Sequence, residues 1–124
     1  MTAQDFIHKK NEQFKKTNII RVKDIGRKGK HFFVREAWTF LPQTNLPEKV
    51  FVLERLRKES TEGNLSYSNW KKGDIEYRIG YFIKGQIGKA KDRWIWGQYC
   101  PLIPQEDLNK LLNKARKEKT LLYV

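Results

Sequence analysis

A chain of 124 residues and 14.8 kDa is sized for one domain around one core, so a single domain over residues 1–124 is expected. One cysteine, Cys100, excludes an internal disulfide and a cysteine-built metal cluster, and the sequence implies no cofactor. No apolar run approaches the roughly 20 residues of a membrane span, and the first residues lack a basic-then-apolar signal layout, so a cytoplasmic protein without a membrane partner is expected.

The formal charge is +12, from 26 Lys and Arg against 14 Asp and Glu. Residues 1–30 carry nine bases and three acids, residues 31–70 five of each, and residues 71–124 twelve and six. Such a balance favours polyanionic partners, nucleic acid foremost, although a lysine-rich surface can also serve solubility alone.

In chain order, Thr2-Ala-Gln-Asp5 reads as a capping box, and Ala3, Phe6, Ile7 and Phe14 recur near helical spacing, predicting a helix over about 3–16. Lys9, Lys10, Lys15 and Lys16 occupy its other face, either as a wet basic back or as a surface for an acidic partner. Ile19 to Ile25 and His31 to Leu41 read as a hairpin around the basic turn Gly26-Arg-Lys-Gly-Lys30. In the second strand the alternation sets Glu36 on the side of Phe32, Val34, Trp38 and Phe40, where a buried carboxylate needs a partner; an arginine ion pair is the plainer account and a catalytic role the sharper one. Pro42 to Pro47 reads as a loop, Val50 to Lys58 as a third strand, and Glu59 to Asp74 as a long polar connection holding Trp70.

The stretch Gly73 to Gly85 looks like the centre of the fold: from Ile75 to Ile83 the residues alternate strictly, Ile75, Tyr77, Ile79, Tyr81 and Ile83 against Glu76, Arg78, Gly80, Phe82 and Lys84. Arg93 to Tyr99 would return antiparallel beside it. After Pro101 and Pro104, Leu108, Leu111, Leu112 and Ala115 form a helical stripe, with Glu106 and Asp107 in the first turn and Lys114, Arg116 and Lys117 near the end, as the helix dipole favours. Thr120 to Val124 could add an edge strand. The expected fold is therefore α+β: a twisted antiparallel sheet of five or six strands, with an N-terminal helix and a C-terminal amphipathic helix packed on it. Trp38, Tyr77, Tyr81, Trp94 and Trp96 are expected to be largely buried.

The segments Glu76-Tyr-Arg-Ile-Gly-Tyr-Phe-Ile83 and Arg93-Trp-Ile-Trp-Gly-Gln-Tyr-Cys-Pro-Leu-Ile-Pro-Gln-Glu-Asp107 resemble a stretch of small uncharacterised bacterial proteins of about this size. The resemblance covers roughly the C-terminal half and implies a bacterial or mobile-element origin, but no activity and no site residue.

Reaction chemistry finds little to attach to. The close glycine pairs lack a phosphate-loop layout, and His8 and His31 lack metal-ligand spacing. Cys100 reads as a small buried side chain rather than a nucleophile. Asp74 and Glu76 with Arg78 faintly resemble nuclease acids, at the wrong spacing. A non-enzymatic binding protein is expected.

The constellation that remains is basic and aromatic. On the strands it comprises Arg21, Lys23, Arg35, Arg55, Arg57, Arg78, Phe82 and Lys84; the loops add Arg27, Lys28, Lys30, Trp70, Lys71, Lys72, Lys89, Lys91 and Arg93. Arginine forks grip phosphates and exposed rings stack on bases, so binding to DNA or RNA through phosphates, with little sequence specificity, is the leading expectation. The two basic turns would frame one patch if their hairpins lay side by side. Alternatives are a protein partner or inhibitor role, with a homodimer included, and capture of a nucleotide-like small anion, which would need a concave site. Against all of these, the strand arginines could be spent on Glu36, Glu54 and Glu76 beneath a helix.

Overall fold

The computed structural model describes residues 1–23, 29–62 and 71–122. Its elements are helix α1 (Ala3–Lys16), strands β1 (Ile19–Val22), β2 (Lys30–Gln43), β3 (Leu46–Glu62), β4 (Ile75–Lys84) and β5 (Trp94–Trp96), and helix α2 (Gln105–Lys117). The strands form one antiparallel sheet in the order β1-β2-β3-β4-β5, so the expected α+β architecture is the one observed. Its centre is β3 rather than β4. Val50 to Leu53 are apolar without interruption and almost wholly buried, which is what a strand covered on both faces requires.

Each helix covers one face. Thr2 caps α1 in a complete capping box with Asp5, and Phe6 and Phe14 pack on Phe40, Val50, Val52 and Phe82. On the opposite face Leu111 and Ala115 of α2 pack on Phe51, Leu53 and Tyr81. The α2 stripe is rotated by one residue from the one read in sequence. Asp107, Leu111 and Ala115 point inward while Leu108 is exposed, because Asp107 is a buried anchor: its carboxylate accepts from the Thr44 amide (3.0 Å) and from the Thr44 hydroxyl.

Thr44 sits in a two-residue turn where a loop from Pro42 to Pro47 was expected; β2 and β3 run almost into each other, with Pro42 paired to Val50. No strand forms between Thr120 and Leu122, and residues 123–124 lie outside the described chain. Of the aromatics expected inside, Tyr81 is buried and Trp38 and Trp94 are half-buried, while Tyr77 and Trp96 are each 38% exposed because they lie toward the ends and edge of the sheet.

Two features of the register position the rest. A bulge between Arg35 and Ala37 inverts the side-chain phase of β2, so Arg35 shares a face with Trp38 and Phe40 while Glu36 is turned to the α2 side, out of the aromatic row assigned to it by simple alternation. The meander also puts the start of β2, the end of β3 and the start of β4 at one end of the sheet, and the β2–β3 and β4–β5 connections at the other. Among the described residues, no helix is long and apolar enough to cross a membrane.

Candidate functional site

A cleft opens between α1 and the β5 edge. Its floor is aromatic: Phe6 stacks on Trp94 with centroids 4.8 Å apart, and the Trp94 indole N–H donates to the Met1 carbonyl at 3.2 Å, tying the start of the helix to the edge strand. One wall is the helix flank of Lys9, Lys10 and Gln13. The other is Asp92 and Arg93, which close the β4–β5 loop. That loop is held by main-chain bonds from the Gly85 amide to the Arg93 carbonyl (2.8 Å), from Asp92 to Gly85 (2.8 Å) and from Arg93 to Ala90 (3.0 Å). These groups line a cavity of about 330 Å³. Gln13 also lines a neighbouring hollow with Phe14, Lys16, Thr17 and Arg35, so a groove follows the helix flank.

Lys10 decides the electrostatics of this groove. Its ammonium lies 5.0 Å from the Phe82 ring centroid, 5.8 Å from Phe6 and 6.0 Å from Phe14. Burial lowers its pKa from the ordinary lysine value, and the positive charges of Arg35 and Lys9 lower it further. Among the described residues no carboxylate pairs with it. Three aromatic faces offset part of the lost hydration, yet the group remains a half-buried cation near Lys9 and Arg35, with Asp92 on the far wall of the cavity, and an anion beside it would relieve it.

The strand arginines have a different fate from the one expected for a binding face. Glu54, fully buried, accepts from Arg35 Nε at 2.6 Å and from Arg78 Nε at 2.8 Å, and Arg35 lies 3.5 Å over the Phe14 ring. On the α2 side Glu36 accepts from Arg55 Nε (2.7 Å) and Arg57 Nε (2.8 Å); Arg55 also donates to the Lys119 carbonyl at the end of α2, and Arg57 to the Gly73 carbonyl. Arg55, Arg57 and Arg78 are thereby taken up in holding the sheet, as the structural alternative had it. Phe82 is also corrected: it is 6% exposed, under α1, because Val50 opposite it and Phe6 above it make a core of that face.

The remaining expected site residues divide by strand direction. Lys30, at the start of β2, and Lys71 and Lys72, before β4, belong to one end; Lys89, Lys91 and Arg93 belong to the other, beside the cleft. Lys30 therefore shares no patch with Lys89, Lys91 and Arg93, and residues 24–28 of the first basic turn lie outside the described residues. Lys84 pairs with Trp94 across the edge and is half-buried next to the cleft. Arg27, Lys28 and Trp70 lie outside the described residues. Cys100, expected inside, is exposed. Glu76 pairs with Lys58 at 3.0 Å, so Asp74, Glu76 and Arg78 make no common site. Among the described residues no group of three or more His, Cys, Asp or Glu side chains could hold a metal ion.

The sequence reading set Lys10 on the basic outer face of α1 and Trp96 in the core, and the structure corrects both: Lys10 is half-buried over three rings and Trp96 is 38% exposed. Lys10 stands four residues after Phe6 and four before Phe14, which sets it on the core-facing stripe of α1; that spacing was a readable signal. Trp96 belongs to a three-residue edge strand, and only the observed length of β5 shows that its ring is half open.

The Glu36 cluster yields a pH prediction. The hydrogen bond from Arg57 is the largest cause holding the Glu36 carboxyl below its ordinary value near 4.5, with Arg55 adding to it. A carboxyl depressed in the folded state contributes stability above its unfolded pKa and loses it as pH falls through the folded one. Urea unfolding should therefore show stability falling from about pH 5 downward, with a shallower fall in Glu36→Gln; parallel pH curves for the two proteins would contradict the assignment.

No protein family, no curated protein and no solved structure matches this chain.

Proposed function

We propose that the protein binds nucleic acid through its phosphates, with little sequence discrimination, and that the α1–β5 cleft is the principal contact. The observation that carries this reading is Lys10, a half-buried cation without a carboxylate partner among the described residues, beside Lys9 and Arg93 in a concave site. Lys84, Lys89 and Lys91 border the same end of the sheet and extend the positive field along which a backbone could run. No reacting group forms part of this reading; the residues bind and orient.

Fluorescence anisotropy with labelled single-stranded and duplex oligonucleotides tests it. Each phosphate contact releases condensed counterions, so six or more contacts should weaken binding about a thousandfold between roughly 50 and 200 mM salt. Absence of saturable binding to either form at the lowest salt would overturn the proposal.

A nucleotide-like small anion is a second reading, favoured by the cavity volume of about 330 Å³, within the range of small-ligand sites. Competition decides between them. A mononucleotide that displaces the oligonucleotide one-for-one at low concentration supports the small ligand, whereas a long strand far outcompeting it supports an extended contact. A protein partner is favoured by a separate observation, the high exposure of Ile87, Tyr99 and Leu102. Capture of a partner that survives nuclease treatment would support it.

A further inference from the structure

The ring suited to stack on a base is Trp96, on the same face of the sheet as the cleft. Opposite it on β4 stands Phe82, and the two rings meet edge to face with centroids 5.0 Å apart. The six-membered part of the indole lies on the backbone of Gly80, where an added Cβ would fall inside the ring's van der Waals envelope, so the ring can lie down only because residue 80 is glycine. The Arg78 guanidinium lies over the indole, its carbon 4.9 Å from the ring centroid, and Arg78 is itself fixed by two hydrogen bonds to the buried Glu54, so a base would share the ring with a held cation. A tryptophan seated in this way has lost most of its rotamer freedom, yet 38% of it stays open to solvent. Lys10 and Trp96 both lie 5.0 Å from the centre of the same Phe82 ring. A cation for a phosphate and a plane for a base thus both adjoin one core residue.

From this juxtaposition we infer that the protein selects single-stranded nucleic acid, with one unpaired base stacked on Trp96 while its neighbouring phosphate meets Lys10. The inference rests on the proposed phosphate contact and adds its substrate class. A duplex keeps its bases stacked on each other and cannot offer that face. Stacking makes no distinction between ribose and deoxyribose, so RNA and DNA strands are treated alike. A pre-seated ring stacks at low ordering cost, which is why the Gly80 seat matters more than exposure alone.

The test compares an oligothymidylate with an abasic strand of the same length, which keeps every phosphate and removes the bases, by anisotropy at fixed salt. Wild-type protein should prefer the thymidylate by about five- to 150-fold, the range expected for one stacked base. Trp96→Leu should bind the two strands equally, and Trp96→Phe should keep part of the preference; oligouridylate should show the same dependence on Trp96. Circular dichroism confirms that each variant is folded. Equal wild-type affinity for both strands, or a preference that persists in Trp96→Leu, overturns the stacking inference and leaves phosphate binding standing. If wild-type protein binds neither strand, phosphate binding fails and the inference fails with it.

Discussion

Replacing Glu54 with alanine should destabilise the fold by about 3–5 kcal/mol, the usual cost of removing one partner from a buried ion pair. Glu54 is fully buried and serves two guanidiniums at once; Arg35 and Arg78 keep only 12% and 32% of their side-chain surface in water. With the carboxylate gone, two like charges would face each other across β3, with Phe14 over one and Trp96 beside the other. Folded proteins of this size have only about 5–15 kcal/mol in hand, so the variant should unfold at much lower urea. Substituting all three residues with apolar side chains of similar volume should recover most of the loss, because desolvation offsets much of what a buried ion pair contributes. A loss under about 1 kcal/mol for Glu54→Ala would mean that the two arginines find water, and that the triad does not hold the sheet in the way described.

The same triad shows how far the sequence could be read. Alternation within β2, β3 and β4 located the strands, and the capping box located α1, because both signals are local: a period of two, and an oxygen placed to bond one amide. Which arginine meets which acid is not local. It depends on a bulge at Glu36, where one extra residue reverses the facing of every side chain before it, and no period in the sequence announces that reversal. The centre of the sheet was misplaced for a related reason. Strict alternation in β4 stands out, while the unbroken apolar run of β3 marks the more buried strand.

The place of the candidate cleft was not legible. Charge and aromatics pointed to a polyanion, yet charge says nothing about which bases are already spent inside the fold. Phe82 was placed outside because its strand neighbours Arg78 and Lys84 are charged. In the structure Phe6 and Lys10 of α1 pack on the Phe82 ring, whereas Trp96 beside it stays partly open. Lys10 could have been found by asking why a lysine interrupts a Phe6-to-Phe14 stripe. That Lys30 and Lys89 stand at opposite ends follows from the meander order, which short connections favour but do not dictate.

Two triple variants of equal charge change test the central claim, that phosphates are held in the α1–β5 cleft, most directly. Lys9→Ala/Lys10→Ala/Arg93→Ala removes three bases from the cleft, and Lys30→Ala/Lys71→Ala/Lys72→Ala removes three from the opposite end of the sheet. Hydrogen bonds to charged groups contribute about 1.5–3 kcal/mol each, so losing the cleft bases should weaken a single strand by at least about a hundredfold. The slope of log affinity against log salt should flatten by about 2, since each phosphate contact to a single strand contributes about 0.7. The opposite-end triple should cost no more than about threefold, through the weakened long-range field alone. Anisotropy titrations of both variants and the wild type across about 50–200 mM salt make the comparison. Equal losses in the two triples, or an unchanged slope in the cleft triple, would contradict the account.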